Sequence, residues 1–134
     1  MKTRYVLDTS ALLTLHHDEP GADEVEKVLY DTSADRYLSF ISITELFYII
    51  WQRSGKEAAY QSIVQLKMLP LHRVDPQEEL LLQAGEFKAM HSLSLADSLI
   101  AATALHMDAT LVHNDPEFEE LKDHLSLQSL PCKG

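Results

Sequence analysis

Short apolar runs alternate with amphipathic stretches along almost the whole 134-residue chain, and this alternation limits the fold more than any other feature of the sequence. The runs are bounded by polar residues, as is typical of buried strands, and the stretches between them show the apolar spacing of helices. Strands that alternate with helices form a parallel sheet covered on both faces. The pattern therefore predicts an α/β fold with helices on each side of one sheet.

The sequence predicts five strands and seven helices. The third helix is expected to begin at Ser42, a residue type that caps helices, and to end at Gly55. A later helix is expected to begin at Pro76, because proline is favoured at the first helical position. The strands are predicted over 4–8, 36–41, 71–75, 109–115 and 125–130, and the helices over 9–17, 19–32, 42–55, 56–70, 76–92, 94–108 and 116–123.

Length and composition predict one globular domain over residues 1–134, since 46% of the residues are hydrophobic and 24% are charged. No stretch approaches the roughly 20 apolar residues that span a bilayer. The first residues pass directly into a strand pattern, so we expect no signal peptide and a cytoplasmic protein. Cys132 is the only cysteine, which excludes an internal disulfide and a cysteine-based zinc site.

The net charge of −10 argues against the broad basic surface of a typical nucleic-acid binder. It does not argue against a nuclease, because an acidic pocket can hold cations that meet the phosphate.

Four acidic residues occupy the positions where strands end or helices begin. Asp8 ends the first predicted strand and Asp115 ends the fourth. Glu45 and Asp97 fall in the first turns of the predicted helices that start at Ser42 and Ser94. Each has a structural explanation, because carboxylates cap helices and stabilise their first turns.

The four positions together favour a second explanation. Strand ends and helix starts of a parallel α/β fold can face the same rim, and ligands bind there. Four carboxylates on one rim would repel each other unless protons or cations relieve the charge. Mg²⁺ and Mn²⁺ prefer carboxylate and water ligands. The sequence therefore predicts a site for a divalent metal.

Four motifs carry a resemblance to a known family. They are "YVLDTSALL" at 5–13, "SITELFYII" at 42–50, "SLADSLIAATAL" at 94–105 and "TLVHNDPEF" at 110–118. In order and spacing they resemble the motifs of PIN-domain ribonucleases, especially the VapC-type toxins of prokaryotic toxin–antitoxin pairs. The third motif is the most specific, and the resemblance extends from about Thr3 to Leu127.

The resemblance implies a three-layer α/β/α fold whose five parallel strands have the order 3-2-1-4-5. It implies metal-dependent hydrolysis of RNA phosphodiester bonds with Mg²⁺ or Mn²⁺. It also implies a homodimer and a small DNA-binding antitoxin whose tail places a basic residue among the acids. The residues assigned to catalysis and metal binding are Asp8, Glu45, Asp97 and Asp115.

Three further features bear on this assignment. Ser10 matches a position where the family carries a small polar residue near the metal, although a serine there also suits the first turn of a helix. The chain has His113 and Asn114 where many relatives have Thr or Ser followed by Arg, and we expect His113 to be structural. The apolar stretch 46–52 is wider than one buried helix face, which favours a partner surface over a purely core role.

Other functions remain as alternatives. A catalytically silent PIN-like module that binds RNA or protein would keep the fold without turnover. A receiver domain would need paired acids near residue 8 and a Lys-Pro turn, and the sequence has neither there. A haloacid-dehalogenase-like phosphatase would need Asp-x-Asp after the first strand, and Ser10 occupies the second place.

Overall fold

The computed structural model describes residues 2–131, so Cys132 lies outside the described part of the chain. Within this range five strands alternate with six α-helices and one 3-10 helix. In chain order they are β1 (Thr3–Leu7), α1 (Thr9–His16), α2 (Ala22–Leu29), β2 (Ala34–Ser39), α3 (Phe40–Ser54), α4 (Lys56–Lys67), β3 (His72–Val74), α5 (Glu78–Met90), α6 (Leu95–His106), β4 (Thr110–His113), the 3-10 helix (Pro116–Leu121) and β5 (Leu127–Ser129).

The sheet is parallel and has the strand order β3-β2-β1-β4-β5, which confirms the predicted topology. β1 lies at the centre, where Val6 is in register with Tyr37 of β2 on one side and with Leu111 of β4 on the other. The chain moves outward in one direction through β2 and β3, and in the other through β4 and β5. The reversal point therefore lies at the carboxyl ends of β1 and β4, where a parallel sheet opens a crevice for ligands.

Two apolar cores form the layers on either side of the sheet. Val6 and Leu111 belong to a core shared with α5, α6 and the 3-10 helix. The next residues along these strands, Leu7 and Val112, belong to the core shared with α1 to α4. All four are fully buried, so successive side chains serve opposite faces of the sheet. This explains the continuous apolar runs of the central strands.

The start of α3 differs from the prediction. The helix begins at Phe40, so Ser42 lies inside it and Glu45 lies in its second turn. The run 36–41 was predicted as strand throughout, because a short apolar run suits a strand or a buried helix equally well. Phe40 and Ile41 instead pack from the first helical turn against the core formed with α5 and α6.

Other boundaries follow the sequence more closely. α3 ends at Ser54, and Gly55 has a φ of 93°, a left-handed conformation that explains why glycine stops the helix here. Pro76 precedes Gln77, the N-cap of α5, and so lies outside the helix that it was predicted to start. Within residues 2–131, no helix is long and apolar enough to traverse a bilayer.

Candidate metal centre

Asp8 follows β1 directly and is 2% exposed. Its Oδ2 caps α1 by accepting hydrogen bonds from the backbone N–H of Ser10, at 3.1 Å, and from the Ser10 hydroxyl. Its Oδ1 is buried and has no hydrogen-bond partner among the described residues. Capping therefore accounts for one carboxylate oxygen and leaves the other free to meet a cation.

Ser10 links the ends of the two central strands. Its hydroxyl donates to Asp8 and accepts the backbone N–H of Asn114 at 2.8 Å, just beyond β4. The Asn114 side chain donates in turn to the hydroxyl of Thr14 at 3.3 Å. The Ser10 hydroxyl donates its proton to Asp8 and so orients the Asp8 carboxylate. Ser10 therefore lies beside the candidate site as a residue that positions Asp8.

Glu45 is positioned by contacts between α1 and α3. The Thr9 hydroxyl donates to Oε1 of Glu45 at 2.8 Å, and the hydroxyl oxygens of Thr9 and Ser42 lie 3.1 Å apart. The prediction that Ser42 caps the helix is wrong. The N-cap is Ser39, and Ser42 is fully buried inside α3 against Thr9. The Thr9 hydroxyl therefore holds the Glu45 carboxylate beside the end of β1, and Ser42 packs against Thr9.

Asp97 lies in the first turn of α6, as predicted. Ser94 is the N-cap, and its hydroxyl accepts the backbone N–H of Asp97 at 3.0 Å. Asp8, Glu45 and Asp97 each offer a carboxylate oxygen, and these oxygens lie within 4.8 Å of one another. We call these three residues the first triad.

Asp115 joins Asp97 from the other side. Its Oδ1 accepts the backbone N–H of Glu117 at 3.0 Å and so caps the 3-10 helix. Carboxylate oxygens of Asp97, Asp115 and Glu117 lie within 4.8 Å of one another, and we call this group the second triad. Asp97 belongs to both triads, so all four predicted acids come together at one rim.

Glu117 was not predicted. It is exposed and lies in the 3-10 helix, where no apolar periodicity marks it. The one available signal was its spacing two residues after Asp115, at the end of a predicted strand.

The electrostatic environment disfavours ionised carboxylates in the absence of a cation. Burial raises the pKa of Asp8 to about 7 against the opposing effect of the Ser10 hydrogen bonds, and the charge of Glu45 adds to the increase. Burial, followed by the charges of Asp8 and Asp115, raises the pKa of Asp97. Burial also raises the pKa of Glu45. Grouped carboxyls with raised pKa values are typical of functional sites.

No lysine or arginine among residues 2–131 is paired with this cluster. In the part of the chain that the structure describes, none of the four predicted acids forms an ion pair with a lysine or arginine. The N-termini of α1 and α6 face the cluster through Asp8 and Asp97 and oppose only part of its charge. A set of carboxylate oxygens, one of them buried with no hydrogen-bond partner in the described part of the chain, has the chemistry that Mg²⁺ or Mn²⁺ prefers.

The family assignment follows from a match of the PIN domain model to residues 5–123. Since this range includes most of the sequence, the chain belongs to the PIN domain family. Among curated proteins, none is similar enough in sequence to count as a match.

Solved structures share the fold over nearly their full length. VapBC2 from Rickettsia felis, in a crystal structure with a DNA fragment from its promoter, is 22% identical with a TM-score of 0.79, over 96% of this chain and 100% of that chain. VapBC-1 from nontypeable Haemophilus influenzae is 27% identical with a TM-score of 0.72, over 95% and 98%. VapC20 from Mycobacterium tuberculosis, described as a Sarcin-Ricin loop cleaving toxin, is 15% identical with a TM-score of 0.75, over 95% and 99%. These likenesses confirm the resemblance to VapC-type toxins at the level of the fold.

Proposed function

We propose that this protein is a metal-dependent endoribonuclease of the VapC type, a toxin that a cognate antitoxin neutralises. The observation that carries the proposal is the pair of carboxylate triads sharing Asp97 at the carboxyl edge of the sheet. The Oδ1 of Asp8 is buried at the same edge with no hydrogen-bond partner among residues 2–131, which supports a cation as its partner. Membership of the PIN domain family and the likeness to a named cleaving toxin support nuclease activity.

Each acid has a proposed role. Asp8 and Asp97 hold the cation, while Glu45 and Asp115 bind it directly or through water, and Glu117 extends the second triad. When bound, Mg²⁺ or Mn²⁺ supplies Lewis acidity that neutralises phosphate charge and promotes ionisation of water. The Ser10 and Thr9 hydroxyls hold the carboxylates of Asp8 and Glu45 in place. No side chain is needed as a covalent nucleophile, because water is the attacking group in metal-assisted hydrolysis.

The negative protein charge gives the cation a second purpose. With a net charge of −10 and no lysine or arginine among residues 2–131 paired with the predicted acids, the rim without a cation would repel an RNA backbone. A bound cation neutralises part of that negative charge. Metal binding should therefore increase the affinity for RNA, and RNA binding should increase the affinity for the metal.

Metal removal tests the proposed function. Purified protein incubated with total RNA and Mg²⁺ or Mn²⁺ should yield discrete fragments, and EDTA should abolish them because the carboxylates alone cannot hold the scissile phosphate. Excess Mn²⁺ added after EDTA should restore cleavage. Cleavage that continues in EDTA would contradict the proposal, and RNA binding without cleavage in either metal would identify the catalytically silent module instead.

An aromatic surface on α3 and α4 is the proposed antitoxin contact. Tyr48, Trp51 and Tyr60 are 45%, 42% and 56% exposed, and the ring of Phe47 packs edge-on against Trp51 and Tyr60 at centroid distances of 5.5 and 5.0 Å. A groove of about 290 Å³ lies between the same two helices and α1. Its apolar lining is formed by Leu12, Leu15, Leu46, Leu66 and Leu69. An antitoxin segment in this groove could direct a basic residue towards the acids.

Trp51 provides the measurement, because it is the only tryptophan in the chain. Adding the cognate antitoxin should shift its fluorescence to shorter wavelength as the ring leaves water. Tyr60→Ala should weaken antitoxin binding about tenfold, as loss of an aromatic anchor does. Tyr30→Ala is the matched control, since Tyr30 is 66% exposed and follows α2 outside this surface. Equal affinities for both variants would assign the antitoxin to another face.

We propose that two copies of this chain form a homodimer, as the resemblance implies. We also propose that the protein acts in the cytoplasm, where an RNA substrate and an antitoxin would be available to it.

A further inference from the structure

His113 ends β4 and is fully buried, with its ring against Phe118 at a centroid distance of 5.3 Å. Its two nitrogens have different surroundings. Nδ1 accepts the backbone N–H of Asp115 at 3.2 Å. Nε2 is buried without a hydrogen-bond partner among the described residues, and Oε1 of Glu119 lies 3.7 Å away. A residue needed only for packing would not leave a polar atom unsatisfied, because that costs free energy an apolar side chain avoids.

The contact at Nδ1 fixes the state of the ring. A nitrogen that accepts a hydrogen bond carries no proton, so the ring is neutral with its hydrogen on Nε2.

Two hydrogen bonds in sequence set the direction of Asp115. Nδ1 of His113 accepts the backbone N–H of Asp115. Oδ1 of Asp115 in turn accepts the backbone N–H of Glu117 at 3.0 Å. The neighbouring Asn114 is anchored separately, through Ser10 and Thr14. The Asp115 carbonyl accepts the backbone N–H of Phe118 at 3.2 Å, while His113 is the residue that holds the Asp115 N–H. Without the contact from His113, the Asp115 N–H is no longer tied to the end of β4, and Asp115 is held only by its hydrogen bonds to the 3-10 helix.

We propose that His113 is a positioning residue for the second triad, holding Asp115 in place by accepting its backbone N–H. The inference deepens the proposed function and rests on it, because it takes the carboxylates as cation ligands. It replaces our expectation of a merely structural histidine with a role that acts through Asp115.

The experiment measures Mn²⁺ binding to the full chain by titration calorimetry, with the unfolding temperature of each variant recorded alongside. His113→Leu removes the acceptor and should weaken Mn²⁺ binding about tenfold or more, the usual effect of losing a group that orients a ligand. His113→Asn is the rescue variant, since an asparagine oxygen readily accepts the N–H two residues later. It should bind Mn²⁺ within about threefold of wild type.

Phe118→Leu is the packing control. It removes the ring contact with His113 but keeps Nδ1, so it should lower the unfolding temperature without changing the Mn²⁺ affinity. A purely structural role would instead make affinity follow the unfolding temperature across all variants. Should His113→Leu fail to fold, His113→Gln replaces it, because its amide lies beyond the position of Nδ1.

Three outcomes would overturn the inference. Wild-type affinity in His113→Leu would show that the acceptor is unnecessary, and equal losses in His113→Leu and His113→Asn would show that the acceptor is not what matters. Both leave the proposed function intact. Absence of Mn²⁺ binding by the wild type would overturn the proposed function, and this inference with it.

Discussion

Asp97→Asn is expected to slow metal-dependent RNA cleavage on the order of a thousandfold. Asp97 belongs to both triads, so its carboxylate serves whichever group holds the cation. Asparagine keeps the shape of the side chain and the backbone N–H that Ser94 caps. The initial rate of cleavage of one RNA at saturating Mg²⁺ measures the effect.

Asp23→Asn is the matched control for this substitution. Asp23 also lies in the first turn of a helix, but it is exposed on α2 and belongs to neither triad. It should cleave RNA at the wild-type rate. Asp97→Asn should also be at least as stable as wild type without metal, because it replaces a carboxyl whose ionisation the site disfavours with a neutral side chain of the same shape. A lost rate would therefore not reflect unfolding. Full activity in Asp97→Asn would place the reaction elsewhere on the molecule.

The second large effect concerns stability without metal, which should fall as the pH rises from 4 to 8. Burial raises the pKa of Asp8 from 3.8 to about 7 in the folded protein. A carboxyl with a raised pKa favours folding while it is protonated in the folded state. Its contribution is fully present below pH 3.8 and is lost as the pH rises through 7. For Asp8 the loss is on the order of 4 kcal/mol.

Urea unfolding in EDTA across this pH range measures the effect. Other carboxyls also titrate there, so the free energy of unfolding is compared with that of Asp8→Asn, which cannot ionise at this position. As the pH rises, the free energy of unfolding of wild type should fall relative to that of Asp8→Asn. Mn²⁺ should restore the wild type at pH 8 and do little at pH 4, since protons compete with the metal for the same oxygens. A difference independent of pH would show that Asp8 is not held in a site that disfavours its charge.

The sequence predicted those parts of the site that topology determines. Asp8 ends a strand and Asp97 begins a helix, and in a parallel sheet both positions reach the same edge whatever the details of packing. The strand order followed from the family resemblance, and the structure agrees with it.

Other parts depend on contacts that no periodicity encodes. The start of α3 at Phe40 was missed because an apolar pair looks alike at the end of a strand and at the start of a buried helix. Glu117 was missed because an exposed acid in a 3-10 helix has no pattern of its own. The hydrogen bond from Asp115 to His113 depends on which nitrogen of a buried ring points at the turn, and sequence spacing does not record that.

Because α6 is buried, the packing of its middle residues helps to fix the position of Asp97 in its first turn. The eight residues from Asp97 to Ala104 are all buried, so the helix has no solvent-facing side over this length. It cannot shift without disturbing α5 and the strands that pack against it. A single added methyl group among its alanines would displace the helix and carry Asp97 with it. Substitutions in α6 should therefore be limited by two requirements: the protein must fold, and the Asp97 carboxylate must keep its position.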